Sequence, residues 1–315
     1  MDEPRLPDYR ELPVLEDGVR SGWGLFGGDD SIGLMNLLTP ERVIAAAALV
    51  RRGAVFPLDL PLGAISPPPF SRGVARHTVL ERTPQGGLDD VIDGYYPQGG
   101  SQWDSLAHVP YSPDEFYNGA TRAEVKAGRR NTVDFWAAKG LVARAVVLDL
   151  SETVVAAGGH EAAVRLTADD LEAARLAQGV EVRTGDILLV RTGFIRWFTE
   201  QPASARESVV SRHSPKLTGL AQNEQVVEYL WDLHIAGIAS DAVGLEAFPR
   251  ADDAGFGFLH RILIGQFGMG LGELWALDAL ADDCQADGVR ECLLVSAPMN
   301  VPGGIGSPAN AIAIK

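Results

Sequence analysis

The chain has 315 residues, 46% of them hydrophobic, which is enough to bury the core of one large domain or of two. Its formal net charge of −15 comes from scattered acidic residues, which excludes sequence-independent binding to nucleic acid or to an anionic membrane and favours a small molecule as partner. The apolar runs are too short to span a bilayer, and the start of the chain is acidic and proline-rich rather than signal-like. Cys284 and Cys292 lack C-x-x-C spacing and are expected to be reduced thiols. We therefore expect a cytoplasmic protein.

Helix start signals predict three helices in chain order. Residues 39–53 begin with Thr-Pro-Glu, which supplies an N-cap and a first-turn proline, continue as an apolar run and end at a glycine. Thr167 and Asp170 form the start of a capping box for a second helix that ends near Leu176. A third helix is predicted to begin at Ser-Pro, residues 214–215, and to end near residue 234.

Runs rich in β-branched and aliphatic residues predict the strands Ala143–Leu150, Asp186–Gly193, Ile235–Ser240 and Cys292–Ala297. Predicted strands and helices alternate in the second half of the chain, whereas the first half is richer in glycine and proline. No repeat or long linker divides the sequence. We therefore expect a single α/β domain over residues 1–315, with a mixed, curled sheet and an N-terminal extension over about residues 1–40.

One segment, YYPQGGSQWDSLAHVPY at residues 95–111, concentrates polar side chains at even spacing. Gln98, Gln102, Asp104 and His108 would all project from one face if the segment were extended throughout. His108 lies close to a carboxylate in the sequence, so the two groups are candidates for one cleft. The remaining histidines outside this segment, apart from His260, are interpreted as ordinary surface or packing residues.

A second segment, GFLHRILIGQFGMGLGELWALDAL, places His260 thirteen residues before Glu273 with a series of glycines between them. Glycines at this density allow close approach of the backbone to a ligand or to another chain. The spacing G-x-G-x-G does not fit a dinucleotide-binding loop, and no nucleophile elbow, H-E-x-x-H or zinc-type C-x-x-C pair is present in the sequence.

The stretch GSQWDSLAH resembles a variant of the H-x-G-T-H-x-D-x-P-x-H signature of the cyclase family, which includes bacterial kynurenine formamidase and isatin hydrolase. Further stretches agree in order along nearly the whole chain: GDILLVRTGF, SPKLTGLA, LHRILIG followed by GELWAL, and PGGIGSPANAIAI. WGLFGGDDSIGLMNLLTPERV and the YNG tripeptide resemble a longer branch of that family. The resemblance implies a swivelling β/β/α domain, a homodimer or homotetramer, and metal-dependent hydrolysis of amides or of cyclic amides and esters.

Carried over position by position, the resemblance implies metal ligands at Asp104, His260 and Glu273 and a general acid/base at His108. Gln98 and Gln102 fall where the family has the two histidines of its first metal, which is a departure from the pattern. A glutamine amide offers only a neutral carbonyl oxygen, which is a weak ligand for zinc. One divalent ion, zinc or manganese, is therefore expected rather than two, and the glutamines are expected to hydrogen-bond the substrate.

Two alternatives stay open at this point. The glutamines would tie Asp104 into a hydrogen-bonded cluster that binds no metal, and His108 would then serve a cyclase, isomerase or lyase. A binding module without catalysis is the other alternative. Aromatic residues near the signature, above all Trp23 and Trp103, are interpreted as candidate substrate-binding residues for an apolar ligand.

Overall fold

The computed structural model describes residues 6–82, 84, 86–210, 216–249 and 258–315. At its centre is a mixed sheet that curls into a half-barrel, which confirms the predicted α/β class with a mixed, curled sheet. Nine strands of the described residues form this sheet, in the spatial order β1 (Val55–Pro57), β13 (Ala311–Ile314), β11 (Glu291–Ser296), β5 (Leu141–Asp149), β7 (Ile187–Arg191), β9 (Gly237–Ser240), β10 (Gly270–Glu273), β4 (Gln102–Asp104) and β12 (Gly306–Pro308).

Two smaller strand pairs lie outside the central sheet: the antiparallel hairpin of β2 (Arg76–Arg82) and β3 (Gly87–Asp93), and the parallel pair of β6 (Arg165–Leu166) and β8 (Gly219–Leu220). The α-helices are α1 (Pro40–Ala47), α2 (Arg122–Lys126), α3 (Val133–Lys139), α4 (Ser151–Ala156), α5 (Ala168–Ala177), α6 (Phe194–Glu200), α7 (Ala203–Val209), α8 (Glu224–Asp232), α9 (Leu259–Leu263) and α10 (Asp278–Asp287). Within the described ranges, none of these helices has the length and apolar character needed to cross a membrane.

The central strands β5, β7, β9 and β10 run parallel, and antiparallel pairs flank them on both sides. Every residue of β7, β9 and β10 is buried, which is typical of parallel strands covered on both faces. All four strands predicted from aliphatic runs are present, with ends shifted by a few residues.

Two of the predicted helices begin where their caps indicate. The Thr39 side chain accepts a hydrogen bond from the Arg42 N–H, and Thr167 and Asp170 form a complete capping box. Helix α1 nevertheless ends at Ala47, well before the predicted end at Gly53. The N–H groups of Arg52 and Ala54 both donate to the main-chain oxygen of Lys315, which draws this segment towards the sheet edge instead.

The predicted third helix is shorter than expected. Residues 214–215 lie outside the described residues, and helix α8 begins only at Glu224, where the Asn223 side chain accepts from the Val226 N–H. The preceding residues are tied to another part of the chain, because Leu217 and Leu220 donate to the main-chain oxygens of Phe248 and Leu245, respectively. The backbone of Leu217 and Leu220 is therefore hydrogen-bonded to a distant segment rather than within a helix.

Candidate active site

Strand β4 directs alternate side chains to opposite sides of the sheet. Trp103 points into the core, where it is 0% exposed, packs edge-on against Trp136 and Trp275, and donates its indole N–H to the Ser296 hydroxyl at 3.0 Å. Gln102 and Asp104 project to the other side because strand side chains alternate. The structure therefore does not bring Trp103 to the substrate side, where the sequence predicted it; Trp103 anchors the strand instead.

Asp104, His260 and Glu273 form one buried cluster, as the sequence predicted for a metal site. His260 Nε2 lies 3.0 Å from Glu273 Oε1 and 3.8 Å from Asp104 Oδ2. One ligand atom from each residue lies within 4.8 Å of the others. Strands β4 and β10 are adjacent and antiparallel, and helix α9 contributes the imidazole, so three separate segments build the cluster.

A fourth residue, Glu246, belongs to the same cluster and was missed by sequence reasoning. One of its oxygens contacts His260 Nδ1, and the other accepts the N–H of Leu259 at the first position of helix α9. Glu246 is 0% exposed and stands in the apolar run AVGLEAF, so the only sequence signal was a carboxylate where a buried segment was expected. Glu246 fixes the ring of His260 and caps its helix.

The protonation of the cluster follows from these contacts. Burial disfavours a charged ring, but the carboxylates of Glu246 and Glu273 outweigh it and raise the pKa of His260 well above its usual value. Burial also acts to raise the pKa of Glu273, yet the hydrogen bond and charge of His260 bring this pKa below its usual value. Burial is the largest effect on Asp104, and it raises the pKa of that carboxyl. His260 and Glu273 therefore form an ion pair beside a carboxyl group that resists ionisation.

His108 reaches the cluster through a tight turn. Its main-chain N–H donates to the main-chain oxygen of Ser105 at 3.0 Å, so the chain turns immediately after strand β4. His108 Nε2 lies 3.7 Å from Asp104 Oδ1, and its side chain is 23% exposed, whereas Asp104 is fully buried. His108 therefore stands between the buried carboxylates and solvent.

The two glutamines occupy different positions. The Gln102 amide nitrogen donates to Glu273 Oε2 at 2.7 Å, so this side chain belongs to the cluster. Gln98 lies in a short 3-10 turn, and its side chain covers Gly306, the register partner of Asp104 on strand β12. A Cβ at Gly306 would clash with the Gln98 amide, so glycine is required for this arrangement. The segment is therefore not one straight strand carrying four aligned side chains.

Aromatic side chains lie on one side of the cluster. The Phe258 ring stacks on His260 with the ring centres 4.7 Å apart and the planes 5° from parallel. Phe248 contacts Phe258 at 6.5 Å and Phe70 at 5.4 Å between ring centres. We call these three phenylalanines the aromatic wall. Trp23 is not part of this wall: it is half-buried, packs edge-on against Tyr111 and donates its indole N–H to the main-chain oxygen of Gly265 at 2.8 Å.

The chemistry of the cluster fits a divalent ion. Both oxygens of Asp104 and the Gln102 side-chain oxygen are buried and have no hydrogen-bond partner among the described residues. Ligand atoms about 2.1 Å from a tetrahedral zinc ion lie about 3.4 Å apart, which is close to the 3.0 and 3.8 Å separations around His260 Nε2. The contact of Nδ1 with Glu246 resembles the carboxylate–histidine pairs that orient metal ligands in other proteins.

Comparisons with known proteins identify the family to which the chain is similar. The family model described as "Cyclase" matches residues 69–247. A crystal structure described as a novel cyclase is 30% identical to the chain, covers 94% of it and 99% of its own chain, and superposes with a TM-score of 0.82. No curated protein matches the chain.

More distant structures share the fold alone. An isatin hydrolase bound to the product analogue thioisatinate is 18% identical, with a TM-score of 0.62 and coverage of 88% of this chain and 98% of its own. Isatin hydrolase A from Ralstonia solanacearum is 20% identical, with a TM-score of 0.61 and coverage of 88% and 99%. Because the family model matches more than half of the sequence, and the novel cyclase matches nearly all of it, the chain belongs to the cyclase family.

Proposed function

We propose that the protein is a metal-dependent hydrolase that cleaves the C–N or C–O bond of a small amide, lactam or lactone. The observation that carries this proposal is the buried cluster of Asp104, His260 and Glu273, in which both Asp104 oxygens lack a partner among the described residues. A buried carboxylate without a partner is costly unless a cation compensates it. The isatin hydrolases of the same fold support hydrolysis as the reaction class.

One divalent ion, zinc or manganese, would be held by Asp104, His260 and Glu273; when bound, it would polarise a carbonyl oxygen and make a water molecule more acidic. Glu246 would keep the proton of His260 on Nδ1, so that Nε2 faces the two other ligands. Gln102 donates to Glu273 and thereby orients this carboxylate. Gln98 and Trp23 remain the proposed contacts of the substrate.

His108 is the general acid/base of the proposed reaction. Its position between solvent and Asp104 lets it meet both the substrate and the buried carboxylates. His108 Nε2 would take a proton from the attacking water as the water oxygen bonds to the carbonyl carbon. It would return that proton to the leaving nitrogen or oxygen as the C–N or C–O bond breaks. The products are a carboxylic acid, which then gives up its proton to solvent or to the released amine, and an amine or alcohol; the two are joined in one molecule if the substrate is cyclic.

A second candidate function is a metal-free cyclase, isomerase or lyase, and a specific observation favours it. His260 already lies between Glu246 and Glu273, and Gln102 already donates to Glu273, so these four side chains are hydrogen-bonded without an ion. In this alternative His108 would move a proton within the substrate, with the Asp104 carboxyl beside it. We propose in either case a small-molecule substrate and a homodimer or homotetramer in the cytoplasm.

Metal analysis combined with turnover decides between the two functions. Protein purified without chelator is assayed for bound metal and for hydrolysis of a panel of small amides, lactams and lactones. We expect one divalent ion per chain and hydrolysis that a chelator removes. His260→Ala should lose the ion, whereas the control Gln98→Ala should keep it. Metal-free protein that converts a substrate at full rate would contradict the hydrolase proposal, and two ions per chain would contradict the single site.

A further inference from the structure

Arg72 lies beside the Gln98 turn, which adjoins the cluster, and the proposed hydrolysis leaves it without a role. Its Nη1 donates to the main-chain oxygen of Gln98 at 2.8 Å, and the Gln98 side chain covers Gly306 beside Asp104. The guanidinium carbon lies 5.4 Å from the centre of the Phe70 ring, at the end of the aromatic wall. Arg72 is therefore held between the Gln98 turn and the wall that leads to His260.

Arg72 also has unused hydrogen-bonding capacity. A guanidinium group carries five N–H donors, and the described hydrogen bond uses one of them. The side chain is half-buried, so the remaining N–H groups face solvent or a ligand rather than the core. A planar guanidinium with adjacent N–H groups fits a carboxylate or an oxyanion better than an ammonium group does.

We propose that Arg72 forms an anion site that binds the negative charge developing on the reacting carbonyl oxygen and then the carboxylate of the product. This inference rests on the proposed hydrolysis, in which one ion replaces two. By the resemblance to the cyclase family, Gln98 and Gln102 fall where imidazoles would hold a further cation, and Arg72, which donates to the main chain of Gln98, supplies positive charge beside that turn. A fixed donor aimed at an oxyanion stabilises the transition state more than the ground state.

Binding of benzoate, measured by titration calorimetry, tests the anion site without turnover. We expect the metal-loaded protein to bind benzoate, Arg72→Gln to bind it at least about tenfold more weakly, and Arg72→Lys to fall between them. The control is Arg76→Gln, since Arg76 is exposed and ion-paired with Asp93 on the hairpin. Equal affinity of the Arg72→Gln variant and the unaltered protein, or no benzoate binding by the unaltered protein, would overturn the inference.

Kinetics separate this inference from the proposed function. With a hydrolysed member of the substrate panel, Arg72→Gln should lower kcat by about 10²- to 10³-fold with unchanged metal content, and added guanidinium should restore part of the activity of Arg72→Ala. Full activity of Arg72→Gln would contradict the anion site and leave the proposed hydrolysis unaffected. Benzoate binding that depends on Arg72, in a protein that hydrolyses no panel member, would support the anion site and contradict the proposed hydrolysis.

Discussion

Replacement of Glu246 by glutamine should weaken metal binding without removing a ligand. Glu246 accepts from two donors, the Leu259 N–H and His260 Nδ1, and glutamine has the same shape but only one accepting oxygen. If that oxygen keeps the Leu259 bond, the new NH₂ group faces Nδ1 and moves the ring proton to Nε2, the atom needed for the ion. Loss of such an outer partner typically lowers metal affinity by about 10- to 100-fold, or about 1.4–2.7 kcal/mol.

Competition with a chromophoric chelator measures this loss of affinity for zinc directly. Asp241→Asn is the matched control, because Asp241 is likewise fully buried and accepts main-chain N–H groups, but from Thr192 and Gly193. We expect both variants to melt at lower temperature and only Glu246→Gln to bind zinc more weakly. Unchanged zinc affinity in a less stable Glu246→Gln protein would refute the reasoning and leave Glu246 as a helix cap.

Three further predictions concern other parts of the molecule. His108→Asn should lower kcat by about 10²- to 10⁴-fold and keep the ion; loss of the ion would make His108 a ligand, and full activity with the ion retained would make it a packing residue. Burial lowers the pKa of His160 to about 4, so as the pH falls below about 6.5 this histidine is protonated in the unfolded chain before it is protonated in the folded one. The free energy of unfolding should therefore fall by about 2 kcal/mol between pH 7 and pH 5. Urea titrations at these two pH values should show a smaller fall for His160→Phe, and an equal fall would contradict this role of His160. Every residue of strands β2 and β3 is exposed, including Leu88 at 66%, and a two-stranded hairpin is only marginally stable alone. We therefore expect light scattering to report a multiple of 33.6 kDa and Leu88→Asp to lower the measured mass; a 33.6 kDa species of the unaltered protein would contradict self-association.

Local signals in the sequence predicted those parts of the fold that local interactions determine. The cap at Thr39 and the capping box at Thr167 act within four residues, and the structure contains both. The end of helix α1 and the start of helix α8 depend instead on hydrogen bonds to Lys315 and Phe248, far away in the sequence. The glycine-rich segment at residues 259–274 allowed close approach to a ligand or to another chain, but nearly all of its residues are buried within the protomer, so it offers little surface to a second copy.

In the candidate site, too, the sequence predicted the residues that belong to a local pattern or a motif and missed those that only distant contacts bring together. The period-two alternation of a strand predicted that Gln102 and Asp104 share a face, and the resemblance to the cyclase family indicated His260 and Glu273. Glu246 and Arg72 come from segments without a motif, and only the folded chain brings Glu246 to His260 and Arg72 to the Gln98 turn beside the cluster. Trp103 was misplaced because an aromatic residue in a polar motif suggests a ligand contact, whereas alternation puts it on the core side.

The position of Trp103 in the core explains how a three-residue strand can hold the buried carboxylate of Asp104 in place. Strand β4 pairs with β10 so that Gln102 lies opposite Glu273, and it pairs with β12 so that Asp104 lies opposite Gly306. A slip of one residue would turn Gln102 and Asp104 into the core and bring Trp103 to the substrate side. The bond from Trp103 to Ser296 and its packing between two other tryptophans oppose that slip. The residue between the two polar side chains therefore sets the register on which the cluster depends.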